Sequence, residues 1–260
     1  MIKNLENKLR QLKKLGIQGV KQSLEDEGSS FQEISVMRNL TKKLGLKLNI
    51  KIGGCEAKND IFFCKKIGSD SIVAPMVESE YAVKKFIQCA KIDKNNKLLV
   101  NLETNDALKN INKIVKSKPF KYLDGIVIGR SDIAGSLGLA KSEVNSIKIF
   151  KKVKKAFSEI KKKSKKKLIF KMGGSITPKS KDFIQKLQQS KLLHYIETRN
   201  IEIKVSKKNI DNLKEVIEKS FEFETLWLKF KLKLNNSSKS LKYREDKKRV
   251  KEIENRLSKK

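Results

Sequence analysis

The sequence contains few of the residues that form disulfide frameworks or soft-metal sites. It has three cysteines and one histidine in 260 residues. Cys55, Cys64 and Cys89 are odd in number and lack Cys-x-x-Cys spacing, which argues against a disulfide framework and against a zinc site. Because His194 is the single histidine, a metal site with several histidine ligands is excluded.

Long apolar runs are also missing. No segment approaches about 18 uncharged apolar residues, so we expect no membrane-spanning helix. The N-terminal stretch MIKNLENKLRQLKKLG has acidic residues and no apolar region, unlike a secretory signal. We therefore expect a cytoplasmic protein. No Gly-x-Gly-x-x-Gly motif opens a helix. The sequence therefore lacks the motif that identifies a dinucleotide-binding fold.

Acidic residues are scarce, and arginine is scarce among the basic ones. The chain has 61 Lys and Arg against 29 Asp and Glu, a net charge of +32, yet only seven of the 61 are Arg. Proteins that recognise nucleic acid commonly use Arg at bases and phosphates, and here the charge is spread along the chain. We therefore expect no nucleic-acid partner, and a surface that binds polyanions stays an alternative.

The segment richest in lysine also fits a solvated surface better than a nucleic-acid site. In KKVKKAFSEIKKKSKKK (151–167), Val153, Phe157 and Ile160 recur at helical spacing. This pattern predicts an amphipathic helix whose lysines form the solvated face.

Short apolar runs alternate with segments of helical length from residue 19 onward. Strands that are each followed by a helix predict a parallel sheet, and seven such units with an eighth run fit a closed barrel. The predicted fold is α/β, a (β/α)₈ TIM barrel over residues 1–206 with a C-terminal helical extension over residues 207–260. The strand runs are GVKQSLEDEG, LNIKIGG, SIVAPMV, KLLVNLET, DGIVIGRSD, KLIFKMGG and LLHYIETRN, with IEIKV as the eighth.

The extension has its own pattern. Residues 207–234 predict a long helix with an apolar face, NNSSKS (235–240) predicts a break, and 241–258 predict a polar helix. The alternation in LWLKFKLKL also fits a strand. The apolar face needs a surface to cover, and both the same barrel and a neighbouring subunit stay open.

Two carboxylates follow neighbouring predicted strands. Glu103 ends the fourth run and Asp132 follows the fifth, at the barrel end where active sites lie. Two carboxylates that face each other need a cation or a shared proton, and without nearby His or Cys the fitting ions are Mg²⁺ or Mn²⁺. A keto acid would fill open positions on the ion, which would stabilise an enolate. The alternative is that Glu103 caps the next helix and Asp132 anchors its loop.

These segments resemble a known family. LLVNLET followed by DGIVIGRSDIAGSLG, together with SIVAPMVES, resembles the HpcH/HpaI aldolase and citrate lyase family over roughly residues 15–140. The resemblance implies a (β/α)₈ barrel that holds Mg²⁺ or Mn²⁺ through Glu103 and Asp132 and acts through the enolate of a keto acid or an acyl-CoA. It also implies a homo-oligomer in which a C-terminal helix is exchanged between subunits.

The chain departs from the family's pattern at two places. Relatives carry an Arg on the second strand, where NIKIGG offers Lys51, which keeps the charge and loses the two-pronged donor. The aldolases use a His near the end of the first strand, where this chain has LEDEG. We therefore predict Lys51 as the group that contacts the enolate oxygen, and Glu25, Asp26 or Glu27 as the group that moves the proton.

A second lysine suggests a second chemistry. KIGGCEA (51–57) and KMGGSIT (171–177) share one local pattern, a lysine at the end of a predicted strand followed closely by Gly-Gly. Paired glycines let a backbone approach a ligand closely. Lys171 could attack a ketone as a free amine, or it could neutralise adjacent carboxylates and hold substrate anions. The predicted substrate-binding residues are Gly53, Gly54, Arg130, Ser131, Lys171 and Arg199.

The sequence thus predicts a carbon–carbon lyase or aldolase that depends on a divalent metal and takes a small anionic substrate, a keto acid or an acyl-CoA. A Schiff-base aldolase that uses Lys171 is the first alternative. A barrel without catalysis that binds an anionic partner is the second.

Overall fold

The strands form one closed barrel. The computed structural model describes residues 1–91, 95–234 and 240–258. Within these ranges eight strands pair in chain order, and the eighth closes the ring against the first, which confirms the predicted α/β barrel. The strands are β1 (Ile17–Ser23), β2 (Lys47–Lys51), β3 (Ser71–Ala74), β4 (Lys97–Asn101), β5 (Gly125–Gly129), β6 (Ile169–Gly173), β7 (Tyr195–Glu197) and β8 (Ile201–Lys204).

The last two strands differ from a regular (β/α)₈ barrel. The strands from β1 to β7 are parallel, but β8 runs antiparallel to both β7 and β1. Only Thr198, Arg199 and Asn200 separate β7 from β8, whereas a parallel crossover needs a dozen or more residues. The run IEIKV is therefore the eighth strand, as predicted, but it returns as a hairpin. This brings the β7–β8 turn to the same barrel end as the other strand-to-helix loops.

Helices surround the barrel and supply most of the apolar core. In the helix over residues 147–163, Val153, Phe157 and Ile160 are buried, while most of the neighbouring lysines are exposed. This confirms that the lysines form a solvated face. No helix in the described part of the chain is long and apolar enough to cross a membrane. The helices are α1 (Ile2–Lys14), α2 (Phe31–Leu44), α3 (Lys58–Lys66), α4 (Glu80–Ala90), α5 (Asn105–Lys109), α6 (Ile111–Lys116), α7 (Arg130–Ser136), α8 (Ile147–Lys163), α9 (Lys181–Gln189), α10 (Lys207–Asp211), α11 (Leu213–Leu234) and α12 (Leu241–Ser258).

The inside of the barrel is largely polar. Val73, Leu99 and Val127 form a small apolar cluster that is separate from the large core between barrel and helices. Strand register places Lys51 beside Val73 and Lys171 beside Val127 on this inner face. The barrel therefore carries two buried lysines in its interior.

The C-terminal extension packs on the barrel of its own chain. The segment LWLKFKLKL lies within α11, so the helical interpretation holds and the strand alternative is wrong. α11 lies along α1, and α12 packs on α11. Several ion pairs hold α12 in place, among them one from Arg249 Nε to Glu224 (2.7 Å) and one from Lys242 to Glu33 of α2 (2.8 Å). The predicted break over 235–240 lies outside the described residues except for Ser240.

Candidate active site

A cleft of about 580 Å³ opens at the carboxyl ends of the parallel strands. It lies where the chemistry of such barrels is located, because the strand-to-helix loops converge there. Of the predicted site residues, the cleft walls include Lys51, Glu103, Ser131, Asp132 and Arg199.

Glu103 is held firmly just after β4. Its side chain is only 3% exposed, and its two carboxylate oxygens accept hydrogen bonds from the backbone N–H of Met76 (3.1 Å) and from Asn101 Nδ2 (2.9 Å). Burial raises the pKa of Glu103, Lys51 counteracts the rise and Asp132 adds to it. The carboxylate is therefore oriented toward the cleft before any ligand binds.

Glu103 does not cap the helix that follows it. That role belongs to Thr104, whose hydroxyl accepts a hydrogen bond from the N–H of Ala107 (3.1 Å) at the start of α5. The alternative in which Glu103 serves as a helix cap is therefore wrong, and its carboxylate faces the cleft.

Asp132 meets Glu103 across Gly129. Asp132 lies in the first turn of α7, directly after β5 ends at Gly129. A Cβ atom on Gly129 would stand 2.7 Å from Glu103 Oε2 and 3.3 Å from Asp132 Oδ2. The two carboxylate oxygens are therefore at most 6.0 Å apart. Glycine at this position lets the carboxylate of Glu103 stand where it does, because a Cβ atom would force that carboxylate to shift.

This pair fits a hard divalent cation. Both ligands are carboxylate oxygens, which Mg²⁺ and Mn²⁺ prefer. Burial raises the pKa of both groups, and a nearby cation would favour their charged forms. Across the described ranges of the chain, no group of three or more His, Cys, Asp or Glu side chains is arranged for a metal. An ion held here would thus take its remaining ligands from water and substrate.

Lys51 ends β2 and projects into the cleft. Its ammonium group lies 2.6 Å from Glu25 Oε2 and 3.7 Å from Asp26 Oδ1. Burial by itself would lower the pKa of Lys51, but the carboxylates of Asp26, Glu103 and Glu25 outweigh it and raise the pKa. Lys51 is therefore a fixed positive charge next to the carboxylate pair.

The three acidic residues after β1 occupy three different environments. Glu25 pairs with Lys51, and Asp26 lines the cleft with its pKa lowered, since Lys21 and Lys51 outweigh the effect of burial. Glu27 is buried, and burial raises its pKa to about 7. Its carboxylate accepts a hydrogen bond from Asn200 Nδ2 (3.0 Å). Sequence alone could not separate these three, because the difference arises from what packs over each of them.

Arg199 lies on the β7–β8 turn and lines the cleft. Its Nε is 3.7 Å from Glu27 Oε1, and the side chain is about one-third exposed. Arg199 therefore connects the buried acid Glu27 to the open cleft.

Arg130 is behind the cleft wall. Its side chain is 0% exposed, and it donates to the carbonyls of Gly173 (3.3 Å) and Gly174 (2.8 Å) and to Asn145 Oδ1 (2.7 Å). Its neighbour Ser131 lines the cleft and shares a hydrogen bond of 2.9 Å with Ser175. Arg130 thus holds the loop after β6 against the start of α7.

The glycine pair after β2 lies away from the carboxylates. The N–H of Gly53 donates to Asp60 Oδ2 at the start of α3 (2.7 Å), and neither Gly53 nor Gly54 lines the cleft. The structure does not bring these two residues together with Glu103 and Asp132.

Lys171 is deeper in the barrel than Lys51. Its ammonium group pairs with Glu202 and lies 3.5 Å from Glu197 Oε1, and all three side chains are buried. Burial would lower the pKa of Lys171, but Glu197 and Glu202 raise it. The amine is therefore held in its protonated form, which disfavours attack on a ketone.

The cleft also contains residues that the sequence did not single out. Gly129 and Asn101 shape the carboxylate pair, and a pattern of strand-end residues on β4 and β5 would have found them. Arg249 and Arg256 come from α12, far away in sequence, and nothing in their local sequence predicts that they line the cleft. The cleft residues that sequence reasoning missed include Lys21, Asn101, Gly129, Lys141, Lys179, Arg249 and Arg256.

Solved structures share this fold at low sequence identity. An HpcH/HpaI aldolase from Desulfitobacterium hafniense DCB-2 superposes with a TM-score of 0.56 at 12% identity, covering 68% of this chain and 75% of that one. The citrate synthase SbnG gives a TM-score of 0.58 at 15% identity, with coverage of 69% and 76%. An HpcH/HpaI aldolase/citrate lyase family protein from Burkholderia cenocepacia J2315 gives 0.55 at 11% identity, with coverage of 68% and 77%.

Sequence comparison gives a family and no individual relative. No curated protein sequence matches the chain significantly. The family model described as HpcH/HpaI aldolase/citrate lyase matches residues 33–196. This match spans β2 to β7 and includes Glu103, Gly129 and Asp132. The chain belongs to the HpcH/HpaI aldolase/citrate lyase family.

Proposed function

We propose that the protein is a carbon–carbon lyase or aldolase that depends on a divalent metal and acts through the enolate of a keto acid or an acyl-CoA. One observation carries this proposal: the carboxylates of Glu103 and Asp132 meet over Gly129 beside the buried ammonium group of Lys51. Membership of the lyase family is consistent with this arrangement.

Glu103 and Asp132 would hold Mg²⁺ or Mn²⁺. The ion, when bound, supplies a Lewis acid that stabilises negative charge on a substrate oxygen. The contribution of the chain is preorganisation, since Asn101 and the backbone of Met76 already fix Glu103.

Lys51 would stabilise the oxyanion of the enolate. It keeps its proton because three carboxylates surround it, and a fixed cation favours a developing negative charge. Its pairing with Glu25 holds the side chain toward the cleft. Lys51 thus supplies the charge, though not the two-pronged geometry, of an arginine at this position.

Arg199 would bind a carboxylate or phosphate of the substrate, with Ser131 as a further donor. Arg199 is joined by cations on the cleft wall from other elements, among them Lys141, Lys179 and Arg256. This excess of positive charge supports a substrate with at least one anionic group besides the reacting one.

Proton transfer would fall to Glu25 or Glu27. A general base works best with a pKa near the operating pH, which favours Glu27 with its pKa of about 7. The ion pair with Lys51, which lines the cleft, instead favours Glu25 as the base. Glu25→Gln and Glu27→Gln separate the two, because only the loss of the base removes the fall of kcat on the acidic side of the pH profile.

The Schiff-base alternative has less support. Lys171 is paired with two buried carboxylates that raise its pKa. Borohydride trapping with pyruvate should give no covalent adduct.

The test of the proposal is a Mn²⁺ titration followed by EPR, with and without pyruvate. The wild type should bind Mn²⁺ saturably, and Asp132→Asn and Glu103→Gln should abolish the binding. Asp106→Asn is the matched control, because Asp106 is an exposed carboxylate of the neighbouring helix α5, 66% exposed and paired with Lys109. Equal binding by all four proteins, or none by the wild type, would contradict the proposal.

The subunit arrangement is a separate proposal. We propose that residues 207–260 act as an extension of a barrel domain formed by residues 1–206, within a homo-oligomer. Sedimentation at two concentrations, with the full chain and with a chain ending at residue 206, tests whether the extension mediates assembly. A full chain that stays monomeric would contradict it.

A further inference from the structure

Two neighbouring grooves flank the short 3₁₀ helix Lys118–Tyr122. The larger basic groove, of about 790 Å³, lies between this helix and α4, and the smaller basic groove, of about 310 Å³, lies between it and the ends of α6 and α8. Both are built from segments that lead into the amino ends of β4, β5 and β6. None of the described residues that line them lines the cleft at the carboxyl ends. The grooves are therefore separate from the candidate active site.

The larger basic groove carries positive charge that the described part of the chain does not compensate. No acidic residue is among the described residues that line it. Its lysines are exposed, and none of them pairs with a carboxylate within the described ranges. These lysines are Lys84, Lys91, Lys118 and Lys121. They differ in this respect from Lys51 and Lys171, whose charges are matched by carboxylates of the barrel.

Two of these ammonium groups meet at one aromatic ring. Lys91 Nζ lies 3.6 Å and Lys121 Nζ 5.1 Å from the ring centroid of Tyr122, so the two cations are at most 8.7 Å apart. Lys91 and then Lys121 lower the pKa of the Tyr122 hydroxyl, which indicates a positive potential at this place. Like charges repel, and an anion between the two lysines would relieve the repulsion.

The floor of the larger basic groove is apolar. Ile87, Pro119 and Tyr122 line it, and Pro119 and Tyr122 are half-buried, so part of each side chain faces the groove. An occupant that matches this groove therefore carries an apolar group beside its anionic groups.

The smaller basic groove continues the positive charge on the other side of the 3₁₀ helix. It too has no acidic residue among its described lining residues. Two of its lysines are engaged, since Lys166 pairs with Asp124 (2.9 Å) and Lys163 donates to Asn112. The exposed lysines that have no carboxylate partner in the described part of the chain are Lys116, Lys165 and Lys121, the last shared with the larger basic groove.

Neither a second copy of this chain nor a small molecule matches the two grooves well. The longest run of acidic residues in the chain is Glu25-Asp26-Glu27, beside the cleft at the other end of the barrel, and a net charge of +32 makes two copies repel each other. Small-molecule sites enclose most of their ligand, whereas the lysines along these grooves are exposed. An extended segment of a different, acidic molecule fits both the charge and the open shape.

We propose that the two basic grooves bind an acidic segment of a partner protein. Its carboxylates pair with the uncompensated lysines, and an apolar side chain packs on Pro119 and Tyr122. Nucleic acid fits less well, because the described cations that line the grooves are all lysines and Lys91 lies over the Tyr122 ring on which a base would stack. The proposal does not depend on the enolate chemistry at the other end of the barrel.

The test uses the full chain and two synthetic peptides. A peptide of repeated Glu-Glu-Leu triplets carries both features of the proposed occupant, and a peptide of repeated Glu-Glu-Ser triplets has the same charge without the apolar side chain. Calorimetry at low ionic strength should show saturable binding of the first peptide and several-fold weaker binding of the second. Added salt should weaken both, because exposed charge pairs are screened.

Two charge-matched variants locate the binding. The groove variant replaces four exposed lysines and should bind the Glu-Glu-Leu peptide about tenfold more weakly, since each lost exposed ion pair contributes modestly. It combines Lys84→Gln, Lys91→Gln, Lys118→Gln and Lys121→Gln. The control variant removes the same charge from exposed lysines of α1, α10 and α11, which line neither groove, and should bind as the wild type does. It combines Lys3→Gln, Lys14→Gln, Lys207→Gln and Lys214→Gln.

Four results would overturn the proposal. They are no saturable peptide binding by the wild type, equal weakening in both variants, equal affinity for the two peptides, and tighter binding of inorganic polyphosphate than of the Glu-Glu-Leu peptide. The second would mean that binding follows net charge alone, and the last would assign the grooves to a phosphate polymer. Mn²⁺ binding at Glu103 and Asp132 should be unchanged in the groove variant, so failure here is distinguishable from failure of the proposed function.

Discussion

Lys51 and Lys171 stand in the same local sequence, a lysine followed by one apolar residue and Gly-Gly, and both are buried inside the barrel. Their surroundings differ. Lys51 lines the cleft at the carboxyl ends of the strands. Its partners Glu25 and Asp26 have side chains that are 34% and 52% exposed. Lys171 lies between Glu197 and Glu202, which are 5% and 2% exposed.

The difference comes from where each strand ends. β2 ends at Lys51, whereas β6 continues two residues beyond Lys171 to Gly173. Because a strand rises by about 3.3 Å per residue, Lys171 lies some 6–7 Å deeper below its strand end. One lysine therefore faces the cleft, and the other compensates buried negative charge in the core.

The largest expected effect is on stability at Lys171. Lys171→Met would leave the carboxylates of Glu197 and Glu202 buried without a cation, and we expect a loss of about 3–5 kcal/mol in the free energy of unfolding. Urea denaturation measures it. The double variant Lys171→Met/Glu202→Met should recover much of this loss, because it removes an unpaired charge together with its partner. A single variant as stable as the wild type would contradict the role given to Lys171.

The effect at Lys51 should be on catalysis and not on folding. Lys51→Met should lower kcat by about 10²–10³-fold, the usual result of removing an oxyanion-stabilising group. Its ion-pair partners Glu25 and Asp26 are partly solvated, so the free energy of unfolding should fall by less than it does in Lys171→Met. Lys51→Arg should retain most of the activity. If Lys51→Met destabilises the protein as much as Lys171→Met does, the two lysines are equivalent and the comparison fails.

Glu27 should make stability depend on pH. Its pKa is raised from 4.5 to about 7 by burial, so the folded state binds its proton more tightly than the unfolded chain does. The resulting stability is complete below pH 4.5 and is lost as pH rises through 7. The loss should be on the order of 3 kcal/mol.

Glu27→Gln tests this, because the amide resembles the protonated acid and should remove that part of the pH dependence. Unfolding curves from pH 4.5 to 8 measure it, with Glu25→Gln at the partly exposed neighbour as the control. A stability profile of Glu27→Gln parallel to that of the wild type would argue against the raised pKa.

The smallest effect concerns Gly129. Gly129→Ala places a methyl group 2.7 Å from Glu103 Oε2, which must turn away from Asp132. We expect about tenfold weaker Mn²⁺ binding, close to 1.4 kcal/mol. Gly135→Ala in α7 is the control, since nothing lies within 4 Å of its added Cβ. Unchanged Mn²⁺ affinity in Gly129→Ala would show that the two carboxylates do not act as a pair.

Much of the fold was predictable because it depends on local patterns of apolar and polar residues. The alternation of apolar runs with amphipathic segments predicted the barrel, and the spacing of Val153, Phe157 and Ile160 predicted that the lysines around them face solvent. The direction of β8 was not predictable from its own residues, since IEIKV fits either direction. It follows from the three-residue connection to β7, which only the observed strand boundaries reveal.

The candidate site divides in the same way. Glu103 and Asp132 were predictable from their positions after neighbouring strands, because parallel strands end at one edge. Arg130 was predicted to bind substrate beside them, and only packing revealed that its donors are directed to the backbone of the β6 loop. That outcome depends on Gly174, whose approach to the start of α7 has no local signal.

By itself, the sequence determined the alternation of strands and helices, the carboxylates at the ends of β4 and β5, and the lack of soft metal ligands, because each follows from residue type and spacing. Only the tertiary structure decided which of Glu25, Asp26 and Glu27 is buried and how deep Lys171 lies. It also decided that α12 contributes Arg249 and Arg256 to the cleft. The physical reason is that desolvation and charge pairing depend on neighbours distant in the chain, and the register of the strands and the packing of α11 and α12 choose those neighbours.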